Sequence, residues 1–474
     1  MNIKIKNFTQ NFSYTFLANI ISTIISIFLL LIVPRFIGVH EYGYWQLYIF
    51  YSSYISYMSL GLTDGAYLRY GGFSYNDLPK SIFVSQYWFL VVFNIIVDFS
   101  ITLLYFLSSS DINKVIVVLF TSITGILIVP RSLLTFMLQA TNRIKEFSIS
   151  TIMERIIFFI CVVLILLCSI RKFEYLIYAD VIGKIFSVIY LFFVCKELVF
   201  GKLAPVKINI KEIWLNISVG IKLLFANLAS FLIIGIVRLF IEKHWSIETF
   251  GKLSLTLSIS NMLMLFINAL SVVLFPALRR TSEENLPALY IIMRTMIMIP
   301  LLGLLIFYYP AKIILTAWLP QYTESLIYMA ILFPMCLYES KMLLLINTYL
   351  KTLRKEKLMM VVNIITVGLS VILTYITVFK ISNLKLTIFS IIFLLGFRCI
   401  IAELCLAKLL KIKVKIDIIL EIVMTIIFIV VSWYLNVTLA FIVYSIAYIL
   451  YLAIKKTEIV YLLNNIKTFL KSNW

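Results

Sequence analysis

FLANIISTIISIFLLLIV, residues 16–33, carries no charge and is long enough to cross a bilayer as a helix. Lys4 and Lys6 precede it and Pro34-Arg35 follow. A secretory signal peptide has similar flanks, but no small-x-small cleavage site comes after this run, so it reads as an uncleaved first helix. Apolar runs of this kind recur from end to end of the 474 residues. They place about fourteen spans near 12–34, 44–63, 81–107, 113–137, 148–169, 173–195, 214–241, 252–278, 288–309, 322–349, 358–379, 384–408, 417–435 and 437–454. A membrane-spanning barrel would instead show alternating segments of about ten residues, so the fold class is all-α and polytopic.

Composition agrees. Hydrophobic residues make up 62% of the chain and charged ones 13%, and mean hydropathy is +1.05. A soluble domain is nearer half apolar and a quarter charged. The formal charge of +19 does not indicate nucleic acid, because Lys and Arg fall in short gaps between apolar runs and not on one polar face. The gaps hold clusters such as Lys196/Lys202/Lys207/Lys211, Lys351/Arg354/Lys355/Lys357, Lys408/Lys411/Lys413/Lys415 and a tail with Lys455, Lys456, Lys467 and Lys471. With the N-terminus inside, about 26 basic residues face the cytoplasm and about 9 face outward, which sets the orientation with both termini inside. Cys161, Cys168, Cys195, Cys336, Cys399 and Cys405 lie in apolar segments without metal-ligand spacing, and read as core thiols. No cofactor is expected. His40 and His244 fall in outer gaps and read as surface residues.

The halves repeat. Arg35-Phe36-Ile37 with Glu41-Tyr42-Gly43 corresponds to Arg238-Leu239-Phe240-Ile241 with Glu248-Thr249-Phe250-Gly251. Leu68-Arg69 corresponds to Leu278-Arg279, and Thr141-Asn142-Arg143-Ile144-Lys145-Glu146 to Thr352-Leu353-Arg354-Lys355-Glu356. Offsets near 203–211 residues divide the chain into a six-helix lobe at 1–200, a basic linker at 201–213 with Pro205, a second lobe at 214–410, and two extra helices with a tail at 411–474. An even number of helices per half makes the halves parallel, and a substrate site is expected where they meet.

The stretch Pro34-Arg35-Phe36-Ile37-Gly38 to Glu41-Tyr42-Gly43-Tyr44-Trp45 resembles the first-loop signature of polysaccharide (O-antigen type) flippases of the multidrug/oligosaccharidyl-lipid/polysaccharide exporter superfamily. Leu60-Gly61-Leu62-Thr63-Asp64-Gly65, Phe250-Gly251-Lys252-Leu253-Ser254, Leu274-Phe275-Pro276-Ala277-Leu278-Arg279-Arg280 and Leu353-Arg354-Lys355-Glu356-Lys357 are similar to its pattern too. The resemblance covers nearly the whole chain through loose motifs. It implies MATE-like lobes around a cationic cavity with alternating access, and an undecaprenyl-diphosphate-linked oligosaccharide repeat unit as substrate, moved to the outer leaflet of a bacterial inner membrane for O-antigen, capsule or exopolysaccharide synthesis. Membrane lipids, and a polymerase and chain-length regulator of that pathway, are the partners it suggests; nucleic acid is not. Peptidoglycan-precursor flippases also carry two extra helices, so that branch stays open.

Charges inside spans point the same way, since Lys or Arg at the bilayer centre costs at least about 2.5–3.5 kcal/mol and needs water or a partner. Arg131, Lys222, Lys341 and Arg398 have no partner on their own helix, and Arg238 mirrors Arg35. These five are the candidate diphosphate-binding cations, with structural pairing between helices as the alternative. Asp180 and Lys184, four apart, should pair with each other, and Glu154 and Arg155 read as anchors at a cytoplasmic end. Asp64, Asp98 and Glu339 are the candidates for ion coupling or gating. Tyr44, Tyr48, Tyr51, Tyr54 and Tyr57 run down the second helix; Tyr48, Tyr51 and Tyr54 are the candidate sugar-facing residues, against a belt-and-packing role. Pro130, Pro276, Pro300 and Pro334 are candidate kinks.

An antiporter of cationic drugs would share the fold but favour carboxylates in its spans. A membrane polysaccharide polymerase would need catalytic groups on a large outer loop, and no gap is that long. The chain is therefore expected to be a transporter and not an enzyme. No GxxxxGK[ST] loop is present.

Overall fold

The computed structural model describes residues 3–279 and 283–460, with no strand among them. Its helices fall into two units, 1–228 and 229–474. The first holds α1 (Ile3–Phe36), α2 (Val39–Ser52), α3 (Leu62–Tyr70), α4 (Lys80–Ser108), α5 (Ile112–Ala140), α6 (Ile144–Leu167), α7 (Phe173–Val194) and the short α8 (Lys196–Val199). The helix α9 (Val206–His244) begins in this unit and continues into the next. The second unit adds α10 (Ile247–Arg279), α11 (Leu286–Leu304), α12 (Tyr308–Trp318), α13 (Thr323–Leu326), α14 (Met329–Leu332) and α15 (Met335–Lys341). It closes with α16 (Asn347–Thr352), α17 (Glu356–Tyr375), α18 (Leu384–Leu410), α19 (Lys415–Tyr434) and α20 (Val437–Ile454).

Twelve helical stretches among the described residues are long and apolar enough to span. Their surfaces carry large apolar side chains outward, such as Leu104, Leu107, Phe193 and Tyr434, each 67–78% exposed. In water such a surface would aggregate, and in lipid it is the expected exterior. The chain is thus a multi-pass membrane protein. Two of the expected spans are absent from the twelve. One, at 252–278, lies in α10, whose side chains beyond Met264 are outside the described residues, as are Pro276, Leu278, Arg279 and Arg280; Lys467 and Lys471 of the tail are outside them too. The other, at 44–63, is not one helix: it is broken between α2 and α3. The stretch expected as a linker at 201–213 is helical from Val206 onward.

Local chemistry explains the ends. Asp111 caps α5, its carboxylate accepting from the backbone N–H of Asn113 (3.0 Å) and Lys114 (3.3 Å). Asn383 caps α18 by accepting from the N–H of Leu386 at 3.2 Å. Pro130 and Pro300 sit inside α5 and α11 without ending them, while Pro334 occupies the cap position before α15. Lys341 runs directly into a π-helical turn over Met342–Ile346.

The two units repeat one turn bond for bond. After α5 the N–H of Thr141, Asn142 and Arg143 donate to the carbonyls of Met137, Gln139 and Leu138. After α16 the N–H of Leu353, Arg354 and Lys355 donate to Tyr349, Lys351 and Leu350. In each the middle residue is left-handed, Asn142 at φ 61° and Arg354 at φ 53°. Ser169 (φ 58°) and Ser382 (φ 50°), one helix later, match at nearly the same offset. Such agreement in backbone detail is what an internal repeat should leave.

In the first unit α4 lies along α5, α6 packs on α7 and α1, and both α2 and α3 rest on α5. In the second, α15 touches α10, α11 and α18, and α19 pairs with α20.

Candidate functional site

The break between α2 and α3 is the most unusual piece of backbone in the first unit. The hydroxyl of Ser53 donates back to the carbonyl of Phe50 at 2.7 Å, a local bond that competes with the helix. The chain then tightens to three-residue bonds: Tyr54 N–H to Tyr51, Tyr57 to Tyr54 and Leu60 to Tyr57. Leu60 (φ 53°) and Gly61 (φ 82°) are both left-handed, and α3 restarts at Leu62. A leucine there is strained, so its surroundings must hold it.

Gly61, the next residue, lies against the backbone of α9. A Cβ on Gly65 would fall 1.8 Å from the Asn216 carbonyl oxygen, and one on Gly220 would fall 1.9 Å from that of Gly61. Three glycines thus let α3 and α9 lie main chain against main chain, as small residues do between membrane helices. Polar contacts fix the far end of the seam. Arg69 donates to Asn216 Oδ1 at 2.5 Å and pairs with Glu212 at 2.9 Å, and Asn216 Nδ2 donates to Gln86 Oε1 at 3.1 Å.

Lys222 follows two residues after Gly220. Its side chain is exposed and makes no ion pair among the described residues. Tyr51 and Tyr54 flank the break and are half-buried, linked through Phe50 by ring centroids 5.7 and 5.3 Å away; Tyr54 lies 6.4 Å from Tyr57. Asp64, in the first turn of α3, is also half-buried. The arrangement sets the backbone just before Lys222 against an irregular stretch that carries Tyr51 and Tyr54. Irregular backbone is tolerated within a membrane segment where it is buried in protein or lines a wet cavity.

Tyr48 is elsewhere. It is 0% exposed, and its hydroxyl bonds Asp180 Oδ2 (2.5 Å) and Thr124 (2.8 Å). Asp180 also pairs with Lys184, as the four-residue spacing predicts. The sugar-facing reading of Tyr48 is therefore corrected, because its polar end is consumed inside the bundle. Arg131 pairs with Glu154 at 2.8 Å and donates from Nε to Ser187 Oγ at 3.0 Å. Glu154 is thus the partner of a neighbouring helix and not only an anchor. Asp98 is 1% exposed, and among the described residues its Oδ2 has no hydrogen-bond partner.

In the second unit the cations are neutralised most completely. Lys341, 1% exposed, pairs with Glu403 and, at 2.6 Å, with Glu421. Arg294 pairs with the same two carboxylates at 2.8 and 2.6 Å and approaches Asp417 at 3.5 Å. Tyr290 donates to Glu403 at 3.1 Å. Lys455 pairs with Asp417 and, at 2.5 Å, with Glu458. One ionic network therefore joins α11, α15, α18, α19 and the residues that follow α20. As a diphosphate ligand Lys341 is corrected: both its carboxylates are already in place and no face is open. Arg294 and Glu421 were not among the sequence candidates, although a lone Arg in LPALYIIMRTMIMIPLLGL was the available signal. Arg398 is 2% exposed and pairs with Glu339 at 3.3 Å while donating to Ser230 at 3.1 Å, so Glu339 serves as a partner. Arg238 is half-buried, donates to Ser254 at 3.0 Å and lies 5.3 Å over the Phe250 ring. Of the five candidate cations, Lys222 alone is exposed.

Comparison with known proteins agrees with this architecture. Residues 8–282 match the family described as polysaccharide biosynthesis protein. No curated protein sequence matches the chain. The fold is similar to an inward-facing multidrug resistance MATE family transporter of the MOP superfamily, with TM-score 0.60 and 11% identity over 83% of this chain and 98% of that one. It is also similar to the lipid II flippase MurJ in an inward closed conformation, with TM-score 0.61 and 12% identity over 95% of this chain and 100% of that one. Since the family match covers more than half of the sequence, the chain belongs to the polysaccharide biosynthesis protein family and carries the helical fold of the MOP-superfamily transporters.

Proposed function

We propose that this protein is a flippase that moves an undecaprenyl-diphosphate-linked oligosaccharide from the cytoplasmic to the outer leaflet of a bacterial inner membrane, with both termini cytoplasmic and no catalysis of its own. The observation that carries the reading is the exposed Lys222 beside the broken second helix, in a chain whose other candidate cations are buried or half-buried. An ammonium is a point donor suited to a diphosphate, and Tyr51 and Tyr54 offer faces and hydroxyls to sugar rings. The physical need is plain: each unpaired hydroxyl moved into hydrocarbon costs a few kcal/mol, so several sugars cannot cross unaided. A potential negative inside favours outward movement of an anion by about 2.3 kcal/mol per charge per 100 mV, so no nucleotide hydrolysis is required.

The test is a proteoliposome assay with a fluorescent prenyl-diphosphate oligosaccharide. Lys222→Ala should lower the initial rate about tenfold while Lys222→Arg keeps most of it, in line with loss of one charge-assisted contact. Full activity in Lys222→Ala, with protein equally folded, would remove Lys222 from the site. A second reading, transport of a lipid-linked peptidoglycan precursor, is favoured by the likeness to MurJ across 95% of this chain. It predicts faster movement of that lipid than of the oligosaccharide in the same vesicles.

A further inference from the structure

The connection from α8 into α9 is fixed to the first unit yet presents an uncovered face. The Val199 carbonyl accepts from Trp88 Nε1 at 3.0 Å, and the Ala204 N–H donates to Ser85 Oγ at 2.8 Å. On α9, Ile213 and Asn216 are buried against the unit. Val206, Ile210 and Trp214, four residues apart, form a stripe on another face, and with Leu203 they are 61–74% exposed. Lys207 and Lys211 form the adjoining stripe, and Lys202 precedes them; all three are exposed. The nearby carboxylates are engaged elsewhere, Glu197 with Lys80 and Glu212 with Arg69. Among the described residues, three ammonium groups beside an apolar stripe are therefore left without counter-charge.

Length places this face at the membrane surface. With 39 residues α9 is longer than the roughly 20 that a span needs, and its apolar run covers 214–241, so its first turns, with Lys207, Lys211 and Glu212, precede the span they continue into. An apolar stripe edged by lysine, with a Trp at the boundary, matches the chemistry of an interfacial helix.

We propose that residues 202–214 form a built-in site for anionic phospholipid headgroups, in which Lys202, Lys207 and Lys211 hold phosphate while Val206, Ile210 and Trp214 enter the acyl boundary. The site is distinct from the transported substrate and does not depend on what that substrate is.

The experiment uses the full chain in nanodiscs containing brominated phosphatidylglycerol or, at equal mole fraction, brominated phosphatidylcholine. The Trp214 signal is obtained by subtracting the emission of the Trp214→Phe protein. Phosphatidylglycerol should quench Trp214 about twofold or more over phosphatidylcholine at low salt, with the preference falling as salt is raised. In Lys202→Gln/Lys207→Gln/Lys211→Gln the two lipids should quench equally. Equal quenching in the unsubstituted protein, a preference that survives the triple substitution or high salt, or no quenching by either lipid would each overturn the proposal. The salt series needs no variant, so a failure of the triple substitution to fold leaves the test intact.

Discussion

Replacing Lys341 by Met removes one of two cations from a core in which Arg294 and Lys341 balance Glu403 and Glu421, all between 0% and 3% exposed. The side chain keeps its volume, so the cavity contribution is small. What changes is charge: two buried carboxylates are left sharing Arg294. A close pair at an effective dielectric near 20 is worth about 4 kcal/mol, and removing one member of a buried ion pair costs about 3–5 kcal/mol because the other charge is stranded. Lys341→Met should therefore destabilise the protein by about 3–5 kcal/mol, read by thermal unfolding or steric trapping of purified protein. Adding Glu421→Gln restores the balance, with Arg294 facing Glu403 and, at 3.5 Å, Asp417, which Lys455 already holds, and should recover more than half of that loss. Two results refute the reasoning: Lys341→Met within about 1 kcal/mol of the unsubstituted protein, or a double variant no more stable than the single one.

Gly65→Ala would press a methyl into the Asn216 carbonyl at 1.8 Å; the α3–α9 seam must open, and a loss of about 1–3 kcal/mol or more in unfolding is expected. Tyr48→Phe withdraws a donor from Asp180 but leaves Lys184 in place, so denaturation should show a loss of about 1–3 kcal/mol and substrate preference should stay unchanged. Asp98→Asn replaces a carboxylate that has no counter-ion among the described residues, so its thermal midpoint should equal or exceed that of the unsubstituted protein; a clear drop would mean that the carboxylate has an essential partner.

Apolar runs were enough to locate nearly every span, because lipid demands about twenty apolar residues and permits little else. The repeat was legible from matching basic turns after α5 and α16, but its register was one residue off: sequence sets Thr141 against Thr352, whereas the backbone sets Asn142 against Arg354 in the same left-handed position. The break at Ser53–Gly61 was hidden, since YSSYISYMSLG carries no charge and no proline and differs from its neighbours only in its serines and one glycine. What decides it is the close approach of Gly220, far along the chain. The charges failed in the same way. Lys184 could be paired by eye because Asp180 is one turn away, whereas the partners of Lys341 stand 62 and 80 residues downstream. Position within a helix shows that a charge needs compensation, but not where that compensation comes from.

That long separation bears on how the chain is made. Synthesis proceeds from the N-terminus, so Arg294 and Lys341 leave the ribosome before Glu403, and Glu403 before Glu421. Until α18 emerges, two positive charges ride on nascent helices that lack the acids which will quiet them, and full balance waits for α19. Lone charges of this kind resist entry into oil. The second unit should therefore commit to the bilayer late and as a group, its final helices arriving as the step that lets the earlier ones settle.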